Sequence, residues 1–319
     1  MTYLKYLMAI SFLVAFYFLV DFETLLQAFL NVDPVFVGGA CLLVVCVRLL
    51  MSVRWKVLLH SRSIFISLAE SIYINFVSHS VGFLLPGGVG ADLMRGHHAY
   101  QKKKELMTVA SAIVFDRLIG VFSMLLVACL SSFILVLAQD KTSQIVLRVF
   151  WLSALALVGM VLGVLCLYWF EQPIRRLFSG DGFLGKKISK LLTLFDARDL
   201  GKEIFSKLLA LSLIMQLLRA GIFAFIFMAL GIELELIYVF AFTPIVFIVM
   251  LIPISIGGIG VREGAIFLLY SALGVSLEQS ITAGLLFYGA QVLMIVPGLM
   301  LMLLAAAFGG KKAGTKAEN

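Results

Sequence analysis

Residues 66–104 read ISLAESIYINFVSHSVGFLLPGGVGADLMRGHHAYQKKK, and the fold turns on how this stretch meets a membrane. An apolar run over 66–85 stops at Pro86-Gly87-Gly88, and a second piece, roughly 88–100, is too short to span before Lys102, Lys103 and Lys104. The approach is basic as well, with Arg54, Lys56 and Arg62 ahead of it. Lys and Arg concentrate in the short loops on the cytoplasmic side. A segment that begins and ends beside such cations enters and turns back. The expectation is a re-entrant hairpin whose turn lies at membrane depth, where irregular backbone survives only against protein or a watery cavity. The competing reading makes it a full crossing followed by a surface helix.

The rest of the chain agrees with a membrane setting. Of 319 residues, 62% are apolar and 13% charged, against roughly 45–50% and about 25% in soluble domains. Mean hydropathy is +1.09. No water-soluble interior hides that much apolar surface, so a disulfide scaffold, a nucleic-acid module and a disordered chain are excluded. The net charge of +7 sits in short loops, where it reports orientation and contact with anionic headgroups. Cys41, Cys46, Cys129 and Cys166 all lie in apolar runs and read as small hydrophobes.

Apolar runs of spanning length cover about 4–20, 35–53, 107–138, 145–170, 208–230 and 281–308. The run 4–20 leads into Asp21 and Glu23 without a small-residue cleavage site, so it reads as a retained helix. Another broken segment, 236–278, starts and ends in acidic loops (Glu233, Glu235 and Glu278) and is interrupted between Pro253 and Gly260. It reads as a second hairpin, entering from outside. The fold class is therefore an all-α polytopic membrane protein with about six spanning helices plus two re-entrant hairpins, or eight helices if the hairpins are counted as spans. Residues 1–319 form one membrane domain. Each half, 1–139 and 145–308, reads span, span, hairpin, span in opposite orientation, which is an inverted-topology repeat with a site near the midplane. Gly87-Gly88-Val89-Gly90 echoes Gly257-Gly258-Ile259-Gly260. An amphipathic cytoplasmic linker (173–207) joins the halves and a basic tail (309–319) follows, so both termini are cytoplasmic.

Ionisable groups in a bilayer cost about 2.5–3.5 kcal/mol each on insertion scales. Arg48, Glu70, Asp92, Arg95, Asp116, Arg117, Arg219, Arg262 and Glu263 persist nonetheless, with His79 and Gln216 adding polar capacity. Neighbours on a helix do not face each other, so Asp116-Arg117 and Arg262-Glu263 are each expected to pair elsewhere. Arginines outnumber acids, and a planar guanidinium suits phosphate. The glycines of Pro86-Gly87-Gly88-Val89-Gly90-Ala91-Asp92 allow a tight turn and close approach to a ligand, and the helix after it offers N-terminal amides to an anion. Asp92 either caps that helix or pairs with an arginine. Gly257, Gly258 and Gly260 repeat the plan. Close packing through small residues is the alternative reading of both loops. The sequence holds no Cys/His nucleophile pair, no paired catalytic carboxylates and no metal-spaced cluster, and His97-His98 reads as facing headgroups.

Arg54-Trp55, the loop from Pro86 to Arg95, Asp116-Arg117 and the loop from Pro253 to Glu263 resemble the transmembrane region of the lysylphosphatidylglycerol synthases, a family with many free-standing flippase-like members. Asp116 stands where many relatives carry Glu, and Ala91 where a further Gly is common. The resemblance implies leaflet transfer of a lipid. It also implies that the aminoacylating domain is not expected in a sequence ending at Asn319. The expected function is a flippase in the inner (cytoplasmic) membrane, not an enzyme. It would move an anionic or aminoacylated phospholipid, or a polyprenyl-phosphate-linked lipid. Its substrate would be bound by Arg48, Arg54, Pro86, Gly87, Gly88, Gly90, Asp92, Arg95, Asp116, Arg117, Arg219, Gly257, Gly258, Gly260, Arg262 and Glu263, with no metal and no cofactor. Membrane lipids are the expected partners, with a lipid-modifying enzyme as a possible second one and no nucleic acid. The alternative is a non-transporting subunit of a glycosyltransferase or lipid-synthesis complex.

Overall fold

The computed structural model describes residues 23, 27, 30–82, 89–138, 144–177, 201–252, 258 and 260–303. The expected span 4–20, Pro86, Gly87, Gly88, Gly257, the linker over 178–200 and the tail 309–319 lie outside the described residues. Within them the regular structure is helical: α1 (Pro34–Ser61), α2 (Leu68–Gly82), α3 (Val89–Lys103), α4 (Leu106–Leu137), α5 (Gln144–Leu177), α6 (Lys202–Ala229), α7 (Leu236–Met250), α8 (Val261–Tyr270) and α9 (Leu277–Leu293). After Met294 the last of these continues as helix to Leu303.

Among the described residues, five helices are long and apolar enough to cross a membrane: α1, α4, α6, the stretch Gln144–Cys166 of α5, and Leu277–Leu303. Local signals set their ends. Asp33 caps α1 by accepting a 2.8 Å bond from the Val35 amide, with Pro34 in the first turn. Ser276 and Gln279 cap α9 reciprocally, at 3.2 and 2.9 Å. The first of these spans was expected to stop at residue 53, yet α1 runs on to Ser61. Arg54 does not end it because the guanidinium finds buried partners on α4 and α6.

The two broken segments are short antiparallel pairs. In the first, Lys102 at the end of α3 meets Glu70 at the start of α2 at 2.8 Å. At the other end, a Cβ on Gly82 would collide with the Ala91 amide nitrogen, so only glycine permits that approach. In the second, Met250 packs on Gly258 near the turn, and Thr243 Oγ1 and Tyr270 OH lie 3.0 Å apart towards the open end. At 15 residues for α2, α3 and α7 and 10 for α8, these helices reach only about 22 and 15 Å. None matches a hydrocarbon core of about 30 Å.

Helices α1 and α6 form the central pair and run antiparallel. The Asp33 amide donates to the Ala229 carbonyl at 3.0 Å, Gly39 faces Phe225, Gly221 faces Leu43, and Arg54 Nη1 donates to Ser212 Oγ at 2.9 Å. Since α1 delivers the chain to one hairpin and α6 to the other, the hairpins open towards opposite ends of the molecule. Two apolar clusters hold them. Trp55, Leu58, Leu59, Ile74, Ile119 and Leu208 pack the first pair against α1, α4 and α6. Phe223, Phe227, Phe242, Tyr270 and Phe287 pack the second, with Phe223 stacked on Phe287 at 5.3 Å and Phe227 tilted against Tyr270 at 4.8 Å. Lipid is as apolar as these side chains, so the gain comes from close packing and interhelical polar contacts, not from escape from water.

Candidate functional site

Residues of both helix pairs and of the long helices line one cavity of about 270 Å³. Gly82, Ala91 and Asp92 line it from one hairpin, and Met250, Leu251 and Gly258 from the other. Between them stand Arg48 on α1, Arg95 on α3, Arg117 on α4, Arg219 on α6 and Arg262 on α8. Five guanidiniums drawn from five helices share one space. Val44, Val47, Ile222, Phe247 and Phe287 supply its apolar wall.

Asp92 and Asp116 organise the α3–α4 side. Asp116, 3% exposed, pairs with Arg54 at 3.0 Å and Arg95 at 3.4 Å. Asp92 takes Arg95 and, at 2.5 Å, Arg117. Arg95 also lies over the Trp55 ring, 4.9 Å from its centre. The neighbours Asp116 and Arg117 thus each find partners on other helices, as one-residue spacing requires. Of the two roles expected for Asp92, pairing with arginine is the one its side chain fills. Arg54 and Asp116 sit behind the cavity wall rather than on it, and Gly90 is buried at the start of α3.

The other acidic–basic neighbours depart from expectation. Arg262 pairs with Glu263 itself. Glu263 is the third residue of α8 and reaches back to the Gly260 amide at 2.5 Å, so its carboxylate swings under the helix start, where the Arg262 guanidinium folds over it. Gly260 holds this start with φ +85°, and Gly258 precedes it at φ +76°; both values are strained for any residue with a Cβ. Room for the pair comes from α9, where a Cβ on Gly284 would overlap the Glu263 carboxylate. The α8 amide expected to await an anion is therefore answered by the protein's own Glu263. Arg262, 1% exposed, also contacts the faces of Phe287 and Tyr288 at 5.6 and 5.5 Å.

Arg48 and Arg219 are held differently. Arg48 Nη2 donates to Gln291 Oε1 at 2.5 Å and lies 3.3 Å from His79 Nε2. Arg219 has Gln216 at 3.5 Å and the Phe247 ring at 4.9 Å. Gln216 in turn donates to Ser123 Oγ at 3.0 Å. Gln291, Tyr288 and Asn75 line the cavity without having been singled out in the sequence. A lone amide in the apolar run 281–308 was the available signal for Gln291. At the wet end of the first hairpin, Glu105 is held below the usual carboxylate range by the Thr108 hydroxyl, 2.8 Å away, and by Lys103.

Among the described residues no cluster of His, Cys, Asp and Glu is arranged to hold a metal ion. What the arrangement offers is a partly apolar chamber with a surplus of fixed guanidiniums, suited to a group with oxyanions at one end and hydrocarbon at the other. The family model described as lysylphosphatidylglycerol synthase TM region matches residues 4–298. No curated protein and no solved structure matches the chain. Five apolar helices and the family match make this a multi-pass membrane protein.

Proposed function

We propose that this chain, which belongs to the lysylphosphatidylglycerol synthase TM-region family, is a lipid flippase. In this reading it carries a phosphate-bearing headgroup between leaflets through the central cavity while the acyl or prenyl chains stay in lipid. The observation that carries the reading is the convergence of five arginines on one cavity between two opposed hairpins. A structural role alone would pair each of these guanidiniums with an acid, and the half-buried Arg48 and Arg219 lack one among the described residues. The test is exchange of a fluorescent phosphatidylglycerol between leaflets of vesicles reconstituted with the purified protein. The rate should exceed that of protein-free vesicles, and equal rates would count against transport.

The same reading makes α2–α3 and α7–α8 re-entrant hairpins of an inverted repeat, in an inner membrane with both termini cytoplasmic. Its supports are the antiparallel central pair, helices too short to span, and the basic residues around the first hairpin against acidic ones around the second. Headgroup and hydrated cations would then approach from either face to the same depth, as alternating access needs. Single cysteines at Ser67 and Lys102, in a background without native cysteines, should both react with a membrane-impermeant reagent from the cytoplasmic side. Labelling from opposite sides would make the first hairpin a crossing.

A further inference from the structure

Among the described residues around the cavity, Arg48, Arg54, Arg95, Arg117, Arg219 and Arg262 stand against Asp92, Asp116 and Glu263. The pairing is uneven. Four of the arginines have a carboxylate, whereas among the described residues the partners of Arg48 and Arg219 are neutral: the Gln291 amide oxygen and the His79 imidazole for the first, the Gln216 amide oxygen and the face of Phe247 for the second. These contacts orient a guanidinium without cancelling its charge. The two belong to the central antiparallel helices, both line the cavity, and Arg219 lies within electrostatic reach of Arg54, Arg48 and Arg117, with Asp116 offsetting part of that positive charge. An anion between like charges fixed around one chamber relieves their repulsion.

We propose that Arg48 and Arg219 clamp a single phosphate, as monoester or diester, and that the cavity therefore selects lipid headgroups of net negative charge over aminoacylated headgroups of net positive charge. The proposal rests on the reading of the cavity as a lipid route. A headgroup amine would need a carboxylate, and none is open. Asp92 is engaged by Arg95 and Arg117, Glu263 by Arg262 and the Gly260 amide, and Asp116 lies behind the wall. An ammonium would enter a chamber lined by five guanidiniums. A phosphate would find two planar donors with uncommitted N–H groups.

The test measures binding and exchange on the same purified protein. Binding of dihexanoyl phosphatidylglycerol, its lysyl ester and inorganic phosphate would be followed by calorimetry in detergent. Leaflet exchange of fluorescent phosphatidylglycerol and its lysyl ester would be followed in vesicles. Phosphatidylglycerol should bind about ten-fold or more tighter than the lysyl ester. Arg48→Gln and Arg219→Gln should each weaken it by about ten-fold or more, the range expected for a lost charge-assisted contact. Lysine at either position should restore only part. Neither substitution orphans a buried carboxylate, so both variants should elute and melt as the wild type does.

Equal or tighter binding of the lysyl ester would overturn the selection. Unchanged phosphatidylglycerol binding in both Gln variants would overturn the clamp. Inorganic phosphate binding as tightly as the lipid would overturn a headgroup as the ligand. If the binding preferences hold while vesicles exchange neither lipid, the clamp stands and the flippase reading falls.

Discussion

Asp116→Asn should destabilise the protein by about 3–5 kcal/mol, the usual consequence of stripping one partner from a buried ion pair. Asp116 is 3% exposed and balances two guanidiniums, Arg54 and Arg95, that are themselves 6% and 5% exposed. Asparagine keeps the shape and removes the charge, leaving Arg54 with neutral partners, the introduced amide and the Ser212 hydroxyl. Because Arg54 is on α1, Arg95 on α3 and Asp116 on α4, the loss acts on the junction that seats the first hairpin. A lowered midpoint of thermal unfolding, or loss of a monodisperse peak in detergent, is the expected readout. Asp116→Glu keeps the charge and should recover most of the stability. A variant with Asn that melts with the wild type would mean this pair contributes nothing to the junction.

Arg117→Gln should leave the protein folded and inserted yet slow lipid exchange by about ten-fold or more, since a charge-assisted contact to a buried group is worth about 1.5–3 kcal/mol. Folding should survive because Asp92 keeps Arg95. Arg262→Gln should slow exchange as much, but it leaves buried Glu263 with only the Gly260 amide and should also lower the unfolding midpoint, so its exchange rate is read on the fraction that elutes as a monodisperse peak. Lysine should rescue only in part, because an ammonium retains the charge and loses the planar fork. The rate of fluorescent phosphatidylglycerol exchange per reconstituted protein is the measurement. Full rates in both Gln variants would leave these arginines as pairing residues that fasten hairpins.

The two short antiparallel helix pairs, α2–α3 and α7–α8, were legible because two signals of different origin coincide at them. The Pro/Gly breaks divide apolar runs that are too short to cross twice, and the flanking charge keeps one sign on both sides of each break. The convergence of Arg48, Arg117, Arg219 and Arg262 was legible from cost alone, since dispersed charges in lipid are too expensive. Partner identity was not. One-residue spacing argues against an Arg262–Glu263 pair on any regular helix, and only the capping of Gly260 turns Glu263 back far enough to make one. Arg54 reads as a loop cation until Asp116 and Ser212, distant in sequence, are brought beside it. Gln291 carries no charge and so left no energetic alarm, although it orients Arg48. The continuation of α1 to Ser61 was hidden for the same reason as Arg54: a cation at the edge of an apolar run marks a helix end only when it has no buried partner.

The central claim is that the headgroup travels through the cavity between the two hairpins. It is tested most directly by placing a cysteine at Met51, which lines that cavity on α1, after Cys41, Cys46, Cys129 and Cys166 have been replaced. Exchange of fluorescent phosphatidylglycerol is then measured before and after reaction with a water-soluble methanethiosulfonate that leaves a sulfonate in the chamber. Exchange should proceed in the unreacted variant and fall to the rate of protein-free vesicles once labelling is complete. Undiminished exchange by fully labelled protein would place the lipid route elsewhere.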